Sequence, residues 1–320
     1  MSPKFPTPSL GILMAFGALA LVFPDFAEGQ TTTEEGSVSS RVERMDVMNR
    51  ISDSALSTQA AFATPSPGDE DLGEQLLLTD TRGYRSLTLY GSATEYYTTN
   101  ASLVDDHLGS DWFTLLQAGL LWVPHLGGNF YGELSARQDL FRYARHSELS
   151  FNSTNLGAGL TYVFRQLGDL SLAGRYGFNL LTDASSSSQI YREQFLKFSL
   201  QKPFVLSRAH FLFTGISAQL VLEGTPDFAL RDQFLWFAGY QANLTRSLSL
   251  NTYFQLGYMP FREGGRSDWN QILSGAITWN AWRWFSVSAL VSASFNSSNE
   301  SFYNYSVLNL GGGINGSIQF

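Results

Sequence analysis

The chain has 320 residues; 44% are apolar and 14% aromatic, but only 15% are charged, against about a quarter in an ordinary water-soluble domain. A net charge of −8 gives nucleic acid no electrostatic reason to bind, and the absence of cysteine removes disulfides, thiol catalysis and thiolate metal sites together. Past the N-terminus, no apolar run approaches the roughly 20 residues that a membrane-spanning helix needs.

Residues 1–29 have the plan of a secretory signal. Lys4 supplies a positive start, Leu10 to Phe23 is an apolar core too short to span a bilayer, and Ala27-Glu28-Gly29 offers small residues for cleavage after Gly29. An uncleaved anchor is the alternative. Residues 30–83 form a second unit, expected in the periplasm. Ser40-Arg41-Val42-Glu43 fits a capping box, and Val42, Met45, Met48, Ile51 and Ala55 follow at helical spacing, which predicts a short amphipathic helix near 40–57. The stretch from Thr64 to Asp71, rich in Pro and acidic residues, is a linker by composition.

From residue 84 to residue 320 the pattern changes to period two. Leu248, Leu250, Phe254, Leu256 and Tyr258 face one way, while Ser249, Asn251, Gln255 and Gly257 face the other. Such alternation puts an apolar face opposite a polar one. About twelve runs follow, near 86–97, 111–123, 129–142, 149–164, 169–181, 189–201, 209–222, 231–244, 247–259, 269–280, 283–295 and 302–320. Their connections alternate between tight and long, as an up-and-down barrel with short periplasmic turns and longer outer loops requires. Every proline lies in the signal, the linker, a loop or a strand end, which suits strands whose amides are all needed for ladder bonds.

A soluble sandwich also alternates, so the aromatic spacing matters. Trp112 and Trp122 share a strand face ten residues apart, as do Trp269 and Trp279, and Phe285 and Phe295. Ten tilted residues cover roughly 23 Å, close to the apolar band between the two aromatic girdles of a membrane barrel. Trp prefers those interfaces because its ring has an apolar body and a polar handle. The last strand, Leu308, Leu310, Gly312, Ile314, Gly316, Ile318 and Phe320, alternates up to a terminal aromatic residue.

These features resemble the bacterial outer-membrane β-barrel proteins, whose last strand ends in this way. The resemblance implies an all-β, transmembrane, antiparallel up-and-down barrel of about twelve strands, preceded by a short helical and linker segment. It also implies localisation in the outer membrane, contact with its lipid, and recognition of the strand ending in Phe320 by the barrel-insertion machinery. The subfamily stays open.

If the apolar face meets lipid, the other parity lines a lumen. Those positions are mostly small, including Gly119, Gly157, Gly159, Gly177, Gly215, Gly239, Gly257, Gly311 and Gly313, and this predicts free space inside. Charges of lumen parity cluster as Glu133, Arg137 and Asp139, then Arg175, then Glu193 and Lys197; Gln241, Asn251, Gln255, Asn309 and Asn315 face them without a charge. A charged arc opposite a neutral wall is a selectivity constriction for polar solutes, or else a set of ion pairs that stiffens neighbouring strands. No cofactor and no metal site is expected from four scattered histidines. At the outer rim, loops carrying Asp105, Asp106 and His107, or His146, Ser147 and Glu148, are the candidates for a nucleophile and base.

Three functions therefore stand open. The first is a passive, porin-like channel for small polar solutes, similar in strand number alone to the nucleoside- and sugar-acid-channel families. The second is a plugged or structural barrel whose N-terminal helix enters the lumen or binds a periplasmic partner. The third is a lipid hydrolase at the rim, similar to the deacylase and phospholipase barrels but without their motif spacings. The expectation is a protein that is not an enzyme.

Overall fold

The computed structural model describes residues 84–103, 109–207 and 209–320. The expected signal, the helix near 40–57 and the linker lie outside the described residues.

Period-two alternation becomes thirteen antiparallel strands. They are β1 (Leu87–Thr98), β2 (Asp111–Trp122), β3 (His125–Gly127), β4 (Phe130–Tyr143), β5 (Phe151–Phe164), β6 (Leu170–Asp183) and β7 (Gln189–Val205). Then come β8 (His210–Thr225), β9 (Gln233–Asn243), β10 (Leu248–Pro260), β11 (Ser267–Trp282), β12 (Phe285–Ser298) and β13 (Tyr305–Gln319). Twelve of these build the wall. The three-residue β3 is an addition to the expected set: it folds back on the start of β4 through Gly127 and Gly128, both at positive φ (118° and 58°) where a side chain would be strained.

Each wall strand pairs with its sequence neighbour. The sheet closes where β1 meets β13, from Thr88 opposite Gln319 to Thr98 opposite Asn309, while β2 pairs directly with β4. Closure removes the free edge that would otherwise leave a row of unpaired amides, which no protein tolerates in lipid. The expected and observed strands agree to within about four residues at nearly every end, as alternation fixes the middle of a strand better than its limits.

The parity is inverted relative to a soluble core. Outward positions are large and apolar, including Leu116, Leu160, Ile216, Leu273 and Ile314. Inward positions carry the buried polar groups, among them Asn155, Asn179, Gln255 and Asn309. Trp112, Trp269 and Phe295 are exposed near the strand ends that lead into the long loops, and Trp122 and Trp279 near the short-turn ends, with Phe285 half-buried beside them. Two outward aromatic rings therefore bracket an apolar band. Phe320 is exposed, and its amide donates to Leu87 O at 2.9 Å, which ties the last residue to the first strand.

Candidate functional site

The inward face divides into three zones. At the long-loop end of β1, β2 and β4–β8, the lumen is packed like a protein core. Tyr96 stacks on Phe113 at 5.0 Å, Phe113 contacts Tyr143 at 5.1 Å, and Phe141 stacks on Phe151 at 4.4 Å. Tyr191, Phe195 and Val221 join them, and the loop residues Ala101, Leu103 and Leu230 fold in on the cluster with at most 2% of their surface exposed. Small lumen positions do not leave the expected space here. Gly177 lies beneath the ring of Phe195 and Gly311 beneath Tyr96, as Gly119 does beneath Tyr90 nearer the short turns, so that an added Cβ would overlap each ring. Gly215 and Gly239 likewise seat the rings of Phe237 and Phe213, whereas Gly157, Gly159, Gly257 and Gly313 face aliphatic, polar or backbone atoms. The sequence pattern counted the glycines and missed the rings that cover them.

The second zone is the charged wall, and all six charges singled out by parity lie on it. Glu133, Gly159, Arg175 and Lys197 are successive partners across β4, β5, β6 and β7. Because Gly159 has no side chain, Glu133 reaches over β5 to form an ion pair with Arg175. Four residues nearer the long loops on β4, Arg137 Nε donates to Asp139 Oδ2 at 2.9 Å, with both side chains at most 7% exposed. The row through Arg137 continues to Asn155, Asn179 and Glu193, and Tyr191 OH donates to Glu193 Oε2 at 2.9 Å. Gln117 Nε2 donates to Asp139 Oδ1 at 3.1 Å, and Ser92 Oγ to Gln117 Oε1 at 3.1 Å, which carries the network round to β1. Desolvated carboxylates and guanidinium groups are tolerated here because each has a partner of opposite sign or a polar neighbour.

The third zone is the neutral wall of β9–β13. Gln255, Asn251, Ser274 and Asn309 point inward and are buried. At the short-turn end this wall recedes into a cavity of about 290 Å³. The wall is not wholly free of charge, contrary to expectation. Asp268 lies at inward parity near the long-loop end of β11, accepts from Arg266 Nε at 3.0 Å and is 3% exposed. Arg266 lies between the rings of Phe261 and Tyr303, 4.0 and 3.5 Å from their centroids. Arg266 sits in a loop, where parity has no meaning, and Asp268 stands one residue before the expected strand start; the period-two pattern overlooked both.

Of the hydrolase candidates, Asp105, Asp106 and His107 lie outside the described residues. His146 Nδ1 lies 3.3 Å from Glu148 Oε1 in an exposed turn, and Ser147 opens the short helical turn Ser147–Leu149. Among the described residues the His125 ring pairs with a backbone carbonyl and the His210 ring with Tyr240 OH, and no imidazole is hydrogen-bonded to a serine hydroxyl.

No protein-family model matches the chain, and no curated protein is significantly similar in sequence. Solved structures do match by shape. The COG4313 outer membrane channel from Pseudomonas putida F1 aligns with a TM-score of 0.51 at 12% identity, over 80% of this chain and all of that one. The outer membrane phospholipase A from Escherichia coli aligns at 0.42 and 12% identity, over 71% and 89%. The CymD monoaromatic hydrocarbon channel aligns at 0.41 and 10% identity, over 76% and 90%. At these identities the first likeness establishes a fold. The chain is a twelve-stranded outer-membrane β-barrel.

Proposed function

We propose that this barrel is a passive channel for small polar solutes, with the charged wall of β4, β6 and β7 as its filter. The observation that supports it is the juxtaposition of Glu133, Arg137, Asp139, Arg175, Glu193 and Lys197 with an opposing wall of amides and hydroxyls. Three charges of each sign on one side produce a transverse field and little net charge. Such a field orders dipolar solutes as they pass, with weak selection between anions and cations. We assign the short-turn end to the periplasm, because barrels of this class keep their short turns there.

A second reading, a barrel held shut, draws on the aromatic packing around Phe113 and Phe141 and on the inward fold of Ala101, Leu103 and Leu230. In that reading residues 30–83 complete the closure from the periplasmic side. Single-channel conductance in planar bilayers separates the two, with full-length protein and a form lacking residues 30–83. Steady current in both forms supports the channel, and Arg137→Ala and Arg175→Ala then change its magnitude. Current only in the shortened form supports the plug, and silence in both overturns the channel.

A further inference from the structure

The cavity at the short-turn end of the neutral wall has a chemistry of its own. It is drawn from the ends of β9 to β13 and from β1, and among the described residues Arg283 is the only charged one that lines it. Its other polar lining is amide and hydroxyl: Asn251, Asn280, Asn315, Thr278, Ser286 and Ser288 are representative. Among the described residues no carboxylate lies in that lining. An anion would meet a single guanidinium, and a cation would meet nothing of opposite sign. Amides and hydroxyls placed at several angles are the groups that match a ligand carrying many neutral hydroxyls, because each can both donate and accept.

Two further observations point the same way. β11 ends at Trp282, the turn is Arg283-Trp284 and β12 opens with Phe285, and all four residues line the cavity. The two indole rings lie 11° from parallel with centroids 5.9 Å apart, and they are 62% and 57% exposed. An outward Trp at a strand end, such as Trp279, is explained by the membrane interface. Trp282 and Trp284 instead flank the lumen mouth and offer a flat apolar platform beside a polar hollow. The second observation is Asn251, which is 5% exposed and whose Oδ1 has no hydrogen-bond partner. A buried acceptor left unbonded is destabilising, and a ligand hydroxyl placed there would satisfy it. Nearby donors are already arranged: Asn315 Nδ2 donates to Ser288 Oγ at 3.0 Å, and Thr278 Oγ1 lies 3.1 Å from the same oxygen.

We infer that this cavity is a binding subsite for a neutral saccharide, held by the amide and hydroxyl wall and capped by the Trp282–Trp284 platform. One face of a sugar ring is a patch of C–H groups that packs on an indole, while the rim of hydroxyls reaches the asparagines and serines. A cavity of about 290 Å³ is at the small end of ligand sites and suits one ring or two. The inference rests on the channel reading for its biological use, since it names the solute class, but binding can be measured without transport.

The test is tryptophan fluorescence of the full-length barrel in detergent, titrated with glucose, sucrose and maltotriose, with galacturonate and toluene as charged and apolar contrasts. Saturable quenching by a neutral sugar, absent with both contrasts, is expected. Asn251→Ala should weaken it by about fivefold, the value of one hydrogen bond. Trp284→Phe should remove most of the signal, so its affinity is read by calorimetry, where a loss of about tenfold is expected. Heat-modifiable migration on gels confirms that each variant still forms a barrel. Quenching by none of the sugars, or equal affinity in Asn251→Ala and wild type, overturns the subsite. Conductance without sugar binding defeats the subsite and leaves the channel, whereas sugar binding without conductance defeats the channel and leaves the subsite.

Discussion

The β4–β7 wall and the β10–β13 wall share one backbone geometry and one parity rule, yet they fill the lumen in opposite ways. The first is built as a core, with Phe141 stacked on Phe151, the ring of Phe195 seated on Gly177, and the Glu133–Arg175 ion pair bridging strands. The second is lined mainly by serine, threonine, asparagine and glutamine, with Tyr253 packed against Phe213 and Phe237, and near the short turns it recedes into a cavity. Eight strands fill their own interior and sixteen leave a channel; twelve lie between. This barrel uses the margin unevenly. One wall supplies rigidity and the other supplies room, so stability and binding are carried by different strands.

If the division is real, truncating a ring in the filled wall should have the largest effect. Phe141 is 3% exposed, stacks on Phe151 and leans on Phe113. Phe141→Ala should cost about 3–5 kcal/mol, read as a shift in the urea-unfolding midpoint in lipid vesicles. A cost below about 1 kcal/mol would mean that the aromatic zone is loose, and the contrast between walls would fail. The seats can be tested separately from the rings. Gly177→Ala drives a methyl group into the ring of Phe195 and should cost about 1–3 kcal/mol. Gly312 is outward on β13, and an added Cβ there meets Ser288 O at 3.6 Å, an ordinary contact. Gly312→Ala should therefore be nearly neutral by the same measurement, so the pair separates crowding in the lumen from a general effect of removing glycine.

The outline of this asymmetry was legible before any coordinates. Alternation located the strands, and the ten-residue spacing of Trp112 and Trp122 set the two outward rings. Parity alone placed Glu133, Arg137, Asp139, Arg175, Glu193 and Lys197 on one side of the lumen. Their pairing was not legible, because Glu133 reaches Arg175 only through the gap at Gly159, and that depends on a register no single strand encodes. The aromatic packing was missed for a related reason. Phe113 adjoins Trp112 and Phe141 adjoins Leu140, so hydrophobicity continued across both parities at the strand ends and blurred the inward signal. Asp268 and Arg266 escaped because one borders a strand limit and the other sits in a loop. The cavity, finally, is a product of six strand ends and a turn, and its lining is scattered between Thr88 and Gln319.

The smallest effect probes the open wall. Ser288 Oγ receives Asn315 Nδ2 at 3.0 Å and lies 3.1 Å from Thr278 Oγ1, so in a closed core its loss would strand two polar groups. Leaving buried groups unsatisfied in that way would cost about 1–3 kcal/mol for each. Beside a cavity large enough for water, both partners can turn to solvent, and the net loss falls to that of one exchanged hydrogen bond. Ser288→Ala should then cost about 0.5–1 kcal/mol in the same unfolding measurement. A cost near that of Phe141→Ala would show that the β10–β13 wall is packed as tightly as the other. The cavity would then be no place for a ligand, and the two walls would differ in polarity alone.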